Sequence, residues 1–111
     1  MGIEADCQGL TRGIYKTQIQ FYQMTYEWDE RNRLLVLEKH GIDFRDAIKV
    51  FGGNAVFVQA RSEIEPRTIA IGPMDGILIA VVYTRRGQNI RLVTARRARK
   101  NERRTYDARY P

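Results

Sequence analysis

The sequence RTIAIGPMDGILIAVVYTRRGQNIRLVTA, residues 67–95, decides the fold. It divides into three apolar or alternating runs, Arg67 to Gly72, Ile77 to Thr84 and Asn89 to Ala95, separated by two short turns. One turn carries Asp75-Gly76 and the other, Arg85 to Gln88, is built around Gly87, and such turns reverse a strand onto its neighbour. A fourth run, AVFVQA from Ala55 to Ala60, precedes them across an acidic loop, Arg61 to Pro66. Strands joined this closely predict an antiparallel meander. Ile77 to Tyr83 is apolar without alternation, which predicts a central strand buried on both faces.

Upstream of the strands the period is helical. Asp29 followed by Glu30 predicts a capped helix start, Leu34, Leu35 and Leu37 supply an apolar side, and Gly41 is a left-handed stop after Lys39 and His40. Asp43 caps a second short helix to Phe51, whose Phe44, Ala47, Ile48 and Phe51 form one stripe, and Gly52-Gly53-Asn54 closes it. Residues 1–23 carry scattered glycines, and from Ile14 a weak alternation, a faint strand signal, runs through Ile19 and Phe21 to Tyr26 and Trp28. They are expected to form a leader, loose or added as an edge strand, ahead of a single domain over 24–111. The expected class is α+β: two N-terminal helices packed on a four-stranded antiparallel sheet, then a C-terminal helix over Ala98 to Arg109. Its apolar positions are only Ala98, Tyr106 and Ala108, so this helix is expected to dock weakly or against a partner.

Charge is concentrated at one end. From Arg85 to Arg109 there are ten Lys/Arg against two acids, a net +8, while the whole chain is +6, which leaves −2 for the rest. A near-neutral body with one cationic edge suggests a surface for phosphates or an acidic partner; a solvated helix is the plain alternative. The longest apolar run, Ile77 to Tyr83, is far short of the roughly 20 residues that span a bilayer. With no signal pattern at the N-terminus, a cytoplasmic location and no membrane partner are expected. One Cys and one His build neither a disulfide nor a zinc site, so no cofactor or metal is expected.

The order of motifs resembles the BrnT family, the toxins of BrnT/BrnA type II toxin–antitoxin modules. The resemblance is carried by Tyr26-Glu27-Trp28-Asp29, by Glu38-Lys39-His40-Gly41-Ile42 with Phe44 and Ala47, and by Val50-Phe51. It continues in Arg67 to Gly72, in Val81-Val82-Tyr83-Thr84, and in Ile90-Arg91 with Thr94-Ala95-Arg96-Arg97-Ala98 and Glu102-Arg103. It implies a RelE-like fold, a ribonuclease acting on RNA, and a DNA-binding ribbon-helix-helix antitoxin, BrnA-like, whose complex with the toxin binds operator DNA. A homodimer is a further expectation. Two features depart from the pattern: the leader before Met24, and Thr84-Arg85-Arg86-Gly87 where many members carry an acid in a T-E-R-G turn. A general base drawn from that acid is missing here.

Metal-free RNA cleavage needs the 2′-hydroxyl deprotonated, the phosphorane charge stabilised and the leaving 5′-oxygen protonated. Arginine suits the second task, because its planar fork binds two phosphate oxygens and stays charged. The candidates are Arg67, which opens its strand, Arg91, expected to face away from Ile90, Leu92 and Thr94, and Arg96 just past the strand end. Arg97, Thr94, Arg99 and Arg103 are candidate substrate-binding residues around them. His40 is the side chain with a reference pKa near neutrality, about 6.5, and Tyr83 could stack on a base or donate to phosphate. Each has a structural alternative: Arg67 pairing with Glu63 or Glu65, His40 capping its helix, Tyr83 filling the core, Glu102 capping the last helix, Trp28 anchoring the first. A non-catalytic basic binding module, or a degenerate toxin that still binds its antitoxin, fits the same charge pattern.

Overall fold

The computed structural model describes residues 25–60 and 65–111. Their elements are β1 (Thr25–Glu27), α1 (Glu30–His40), α2 (Phe44–Ala47) running into a 3-10 turn (Ile48–Gly52), β2 (Val56–Ala60), β3 (Arg67–Met74), β4 (Ile77–Arg86), β5 (Asn89–Arg97) and α3 (Lys100–Arg109). The expected meander is present, with β4 in the middle of the sheet order β1-β5-β4-β3-β2. The sheet has five strands, however, and is mixed: β1 lies parallel to β5, Tyr26 beside Ile90. The weak alternation through Tyr26 and Trp28 does end in a strand, but its partner lies more than 60 positions away and no local pattern names it. Expectations for residues 1–23 fall outside the described residues.

The helix ends follow their caps. Asp29 accepts from the N–H groups of Arg31 and Asn32, and Gly41, at φ 72°, returns its N–H to Leu37. At the β3–β4 hairpin, Asp75 and Gly76 both take positive φ, the backbone a two-residue reversal requires. The second helix is shorter than its stripe suggests, because after one α turn it tightens into 3-10 from Ile48.

One sheet face carries the main core. Ile79, Val81, Tyr83, Ile90, Leu92 and Ala95 pack with Phe44, Ala47, Val50 and Phe51 from α2 and its 3-10 extension. Tyr26 and Tyr83 both touch the Phe51 ring, and Trp28 meets Phe44 edge-on at 5.9 Å, which makes it an anchor of the first helix. Gly72 sits where this packing is tightest: an added Cβ would lie 2.9 Å from Val50 Cγ1 and 3.1 Å from the Asn54 carbonyl.

The apolar side assigned to α1 is the one it turns outward. Leu34 and Leu35 are 51% and 58% exposed, while Val36 and Arg33 are buried. Arg33 is the reason. Its guanidinium binds Glu30 within α1 and reaches Asp43 at 2.9 Å, so an ion pair joins α1 to the cap of α2. The paired charge occupies the inward side, and the leucines beside it face out.

Candidate functional site

The opposite sheet face holds the candidate site, and a β-bulge builds it. Leu92 pairs with Tyr83 and Thr94 with Val82, so Val93 is an extra residue in β5. Up to Leu92 the even residues point into the core. After the bulge the phase inverts: Ala95 is buried in the core, and Thr94 and Arg96 join Arg91 on the other face. The expectation that Arg91 faces away from Thr94 is thereby corrected. The carbonyl freed by the bulge is taken by Asn32 Nδ2 of α1.

On this face a groove of about 640 Å³ runs between the sheet and the start of α3. Its floor is aliphatic, with Val58 from β2, Ile69 and Ile71 from β3 and Val82 from β4. Arg67, Thr94 and Arg96 stand on that floor, and Arg99, Asn101, Glu102 and Thr105 form the α3 wall. Four of the expected residues, Arg67, Thr94, Arg96 and Arg99, are thus brought together by three different elements.

Their surroundings differ. Arg67 Nε is buried and has no hydrogen-bond partner among the described residues. An unsatisfied buried donor costs about 1–3 kcal/mol, a local cost borne beside the groove that Arg67 lines. Its anticipated partner Glu65 lies 3.8 Å from Arg86, and Glu63 is outside the described residues. Arg96 is engaged: Nη1 and Nη2 donate to Glu102 Oε1 and Oε2 at 2.7 and 2.9 Å. Glu102 Oε1 also accepts from the Arg99 N–H at 2.7 Å, which starts α3. These bonds, from Arg96 first, hold the Glu102 carboxyl below its ordinary value against the opposing effect of burial.

The other expected residues are placed elsewhere. Arg91 lies on the same face but toward β1, paired with Glu27 at 2.9 Å; Asn89 donates to the same carboxylate, which lies below its usual range chiefly because of Arg91. Tyr83 is 3% exposed on the core side, and burial pushes its hydroxyl up. His40 lines a separate hollow with Asn32, Leu35, Val36 and Lys39 that shares Thr94 with the groove. Arg97 and Arg103 are exposed and line neither. Among the described residues no group of three His, Cys, Asp or Glu could hold a metal ion.

Asn101 and Thr105 were missed as wall residues because their exposure on α3 is visible only once the helix is seated. Glu102 carried a readable signal, a Glu three residues after the residue before the helix, the capping-box position. Its grip on Arg96 carried none. α3 itself is seated by this carboxylate, its one fully buried side chain, and by the half-buried Tyr106, whose hydroxyl donates to the Asn54 carbonyl at 3.3 Å.

A family model described as "Ribonuclease toxin, BrnT, of type II toxin-antitoxin system" matches residues 28–102. Among solved structures, the crystal structure of the Brucella abortus ribonuclease toxin BrnT is similar at 32% identity and a TM-score of 0.59, covering 69% of this chain and 99% of that one. No curated protein matches. The matched span runs from the anchoring tryptophan to the carboxylate that closes the groove, and the chain belongs to the BrnT family of ribonuclease toxins of type II toxin–antitoxin systems.

Proposed function

We propose that this chain is a metal-independent endoribonuclease that holds the scissile phosphate of RNA in the groove between sheet and α3. The observation that carries this reading is the convergence of Arg67, Thr94, Arg96 and Arg99 on one groove from three parts of the chain. A phosphate oxygen there accepts from the Arg67 guanidinium, Arg99 adds positive charge from the wall, and Arg96, held by Glu102, offers its free edge from the floor. The substrate's 2′-oxygen forms a bond to phosphorus and the bond to the 5′-oxygen breaks, leaving a 2′,3′-cyclic phosphate and a free 5′-hydroxyl. The arginines offset the charge of the phosphorane between these events. One proton leaves the 2′-hydroxyl and one arrives at the 5′-oxygen; His40, across Thr94 from the groove, is the candidate to move them.

The partners follow from the family. A ribbon-helix-helix antitoxin neutralises the chain, and the complex binds operator DNA. The outward leucines of α1, Leu34, Leu35 and Leu37, are an apolar surface suited to such a partner. The test is incubation of the purified, folded protein with RNA in EDTA. Cleavage to cyclic phosphate ends is expected, and cleavage only on adding a divalent metal overturns the mechanism.

A second reading, a basic module that binds RNA or antitoxin without cutting, is favoured by the pairing of Arg91 with Glu27 and Arg96 with Glu102. In that case the folded protein binds RNA with a steep salt dependence and releases no product.

A further inference from the structure

We propose that Glu102 is a positioning residue for the cleavage reaction, fixing which edge of Arg96 the groove presents to a phosphate. The proposal rests on the ribonuclease reading and deepens it. Glu102 closes a two-point fork on the terminal nitrogens of Arg96, and the pair is nearly dry, with side chains 15% and 8% exposed. An arginine gripped across Nη1 and Nη2 keeps a second edge, Nε–H with the remaining Nη2 hydrogen, and that edge is itself a fork of the spacing phosphate oxygens take. An ungripped Arg96 could swing through many rotamers. Gripped, it holds one orientation before substrate arrives.

The same carboxylate fixes the wall opposite. Glu102 Oε1 accepts from the Arg99 N–H, so the turn that begins α3 is registered to Arg96 by one oxygen shared between them. Floor and wall cannot shift independently. Since the Glu102–Arg96 pair carries little net charge, its contribution is to orientation more than to attraction, and its loss falls on turnover more than on binding.

The experiment is a double-mutant cycle on cleavage of a single-stranded RNA oligonucleotide by wild type, Glu102→Gln, Arg96→Ala and the double variant, with thermal unfolding of each. Glu102→Gln keeps an acceptor for the Arg99 N–H and loses the charged fork. We expect its kcat to fall roughly tenfold to hundredfold with KM little changed. In the Arg96→Ala background the same change should cost nothing further, because there is no guanidinium left to aim. Full activity of Glu102→Gln overturns the proposal, and so does an equal loss in both backgrounds, which would assign Glu102 to the seating of α3 alone. If Glu102→Gln fails to fold, Glu102→Asp, one methylene too short for the fork, is read in the same cycle. A wild type that cleaves no RNA sinks the ribonuclease reading itself; an active wild type with additive losses sinks only this inference.

Discussion

The two faces of the sheet are made from alternate residues of the same strands, and they hold their helices by different physics. On the core face, Ile79, Val81, Ile90 and Leu92 meet Phe44, Val50 and Phe51 in a continuous apolar contact. On the groove face Ile71 and Ala80 are fully buried, but α3 buries no apolar side chain, and Glu102 is its one buried residue. Apolar contact is additive and indifferent to direction, so the first face can supply stability without aiming anything. An ion pair works only in one geometry, so the second face supplies orientation at little gain in stability. Apolar packing and the aimed ion pair are thereby separated across about one strand thickness.

The largest effect expected from breaking that separation lies on the core face. Phe44→Ala should cost about 3–5 kcal/mol, a large share of what a domain this size has, measured by urea unfolding. A loss below about 1 kcal/mol would show that the apolar face does not carry the fold. Next is Arg67→Ala on the groove face, expected to lower cleavage roughly 10²- to 10³-fold, the cost of removing one preorganised donor. Its unfolding midpoint should not fall, since the Nε it deletes has no partner among the described residues. A midpoint that drops as far as that of Phe44→Ala would merge the two faces into one.

The smallest effect is in pH. Glu102 has a lowered folded pKa, so its contribution to seating α3 is complete above the unfolded value, about 4.3, and is lost only as pH falls through the folded one. Asp43, at the joint of α1 and α2, is held at about 2 by Arg45 first and then Arg33, and its contribution persists to about that pH. Amide protection of α3 should therefore be unchanged from about pH 7 to 5 and begin to fall only below the unfolded carboxylate value of about 4.3. Loss between 5 and 7 would mean that something other than Glu102 seats the helix.

Local chemistry was legible in the sequence, and pairings between distant residues were not. The caps at Asp29, Gly41 and Asp43, the Asp75-Gly76 turn and the central place of Ile77 to Tyr83 depend on neighbours within a few positions, and each is where its residue types put it. β1 depends on residues 89–91 and the outward leucines on Arg33 meeting Asp43, neither of which has a local pattern. The site divides in the same way. Arg67, Arg96 and Arg99 were chosen for residue type and do share a groove, while Tyr83 was chosen for its place at a strand end and lies in the core. The bulge is intermediate. The apolar phase passes from Ile90 and Leu92 to Ala95 across Val93, a slip visible in the letters that unbroken alternation conceals.

The parallel pairing of β1 with β5 also sets an order in time. Glu27 and Arg91 are 64 positions apart, so during synthesis the first described strand waits, without a partner, until almost the whole meander has been made. The groove is later still, for Thr94, Arg96, Arg99 and Glu102 all follow that pairing in the chain. A polypeptide interrupted anywhere before residue 94 has most of its hydrophobic core in prospect, and Arg67 without the β5 and α3 residues that share its groove.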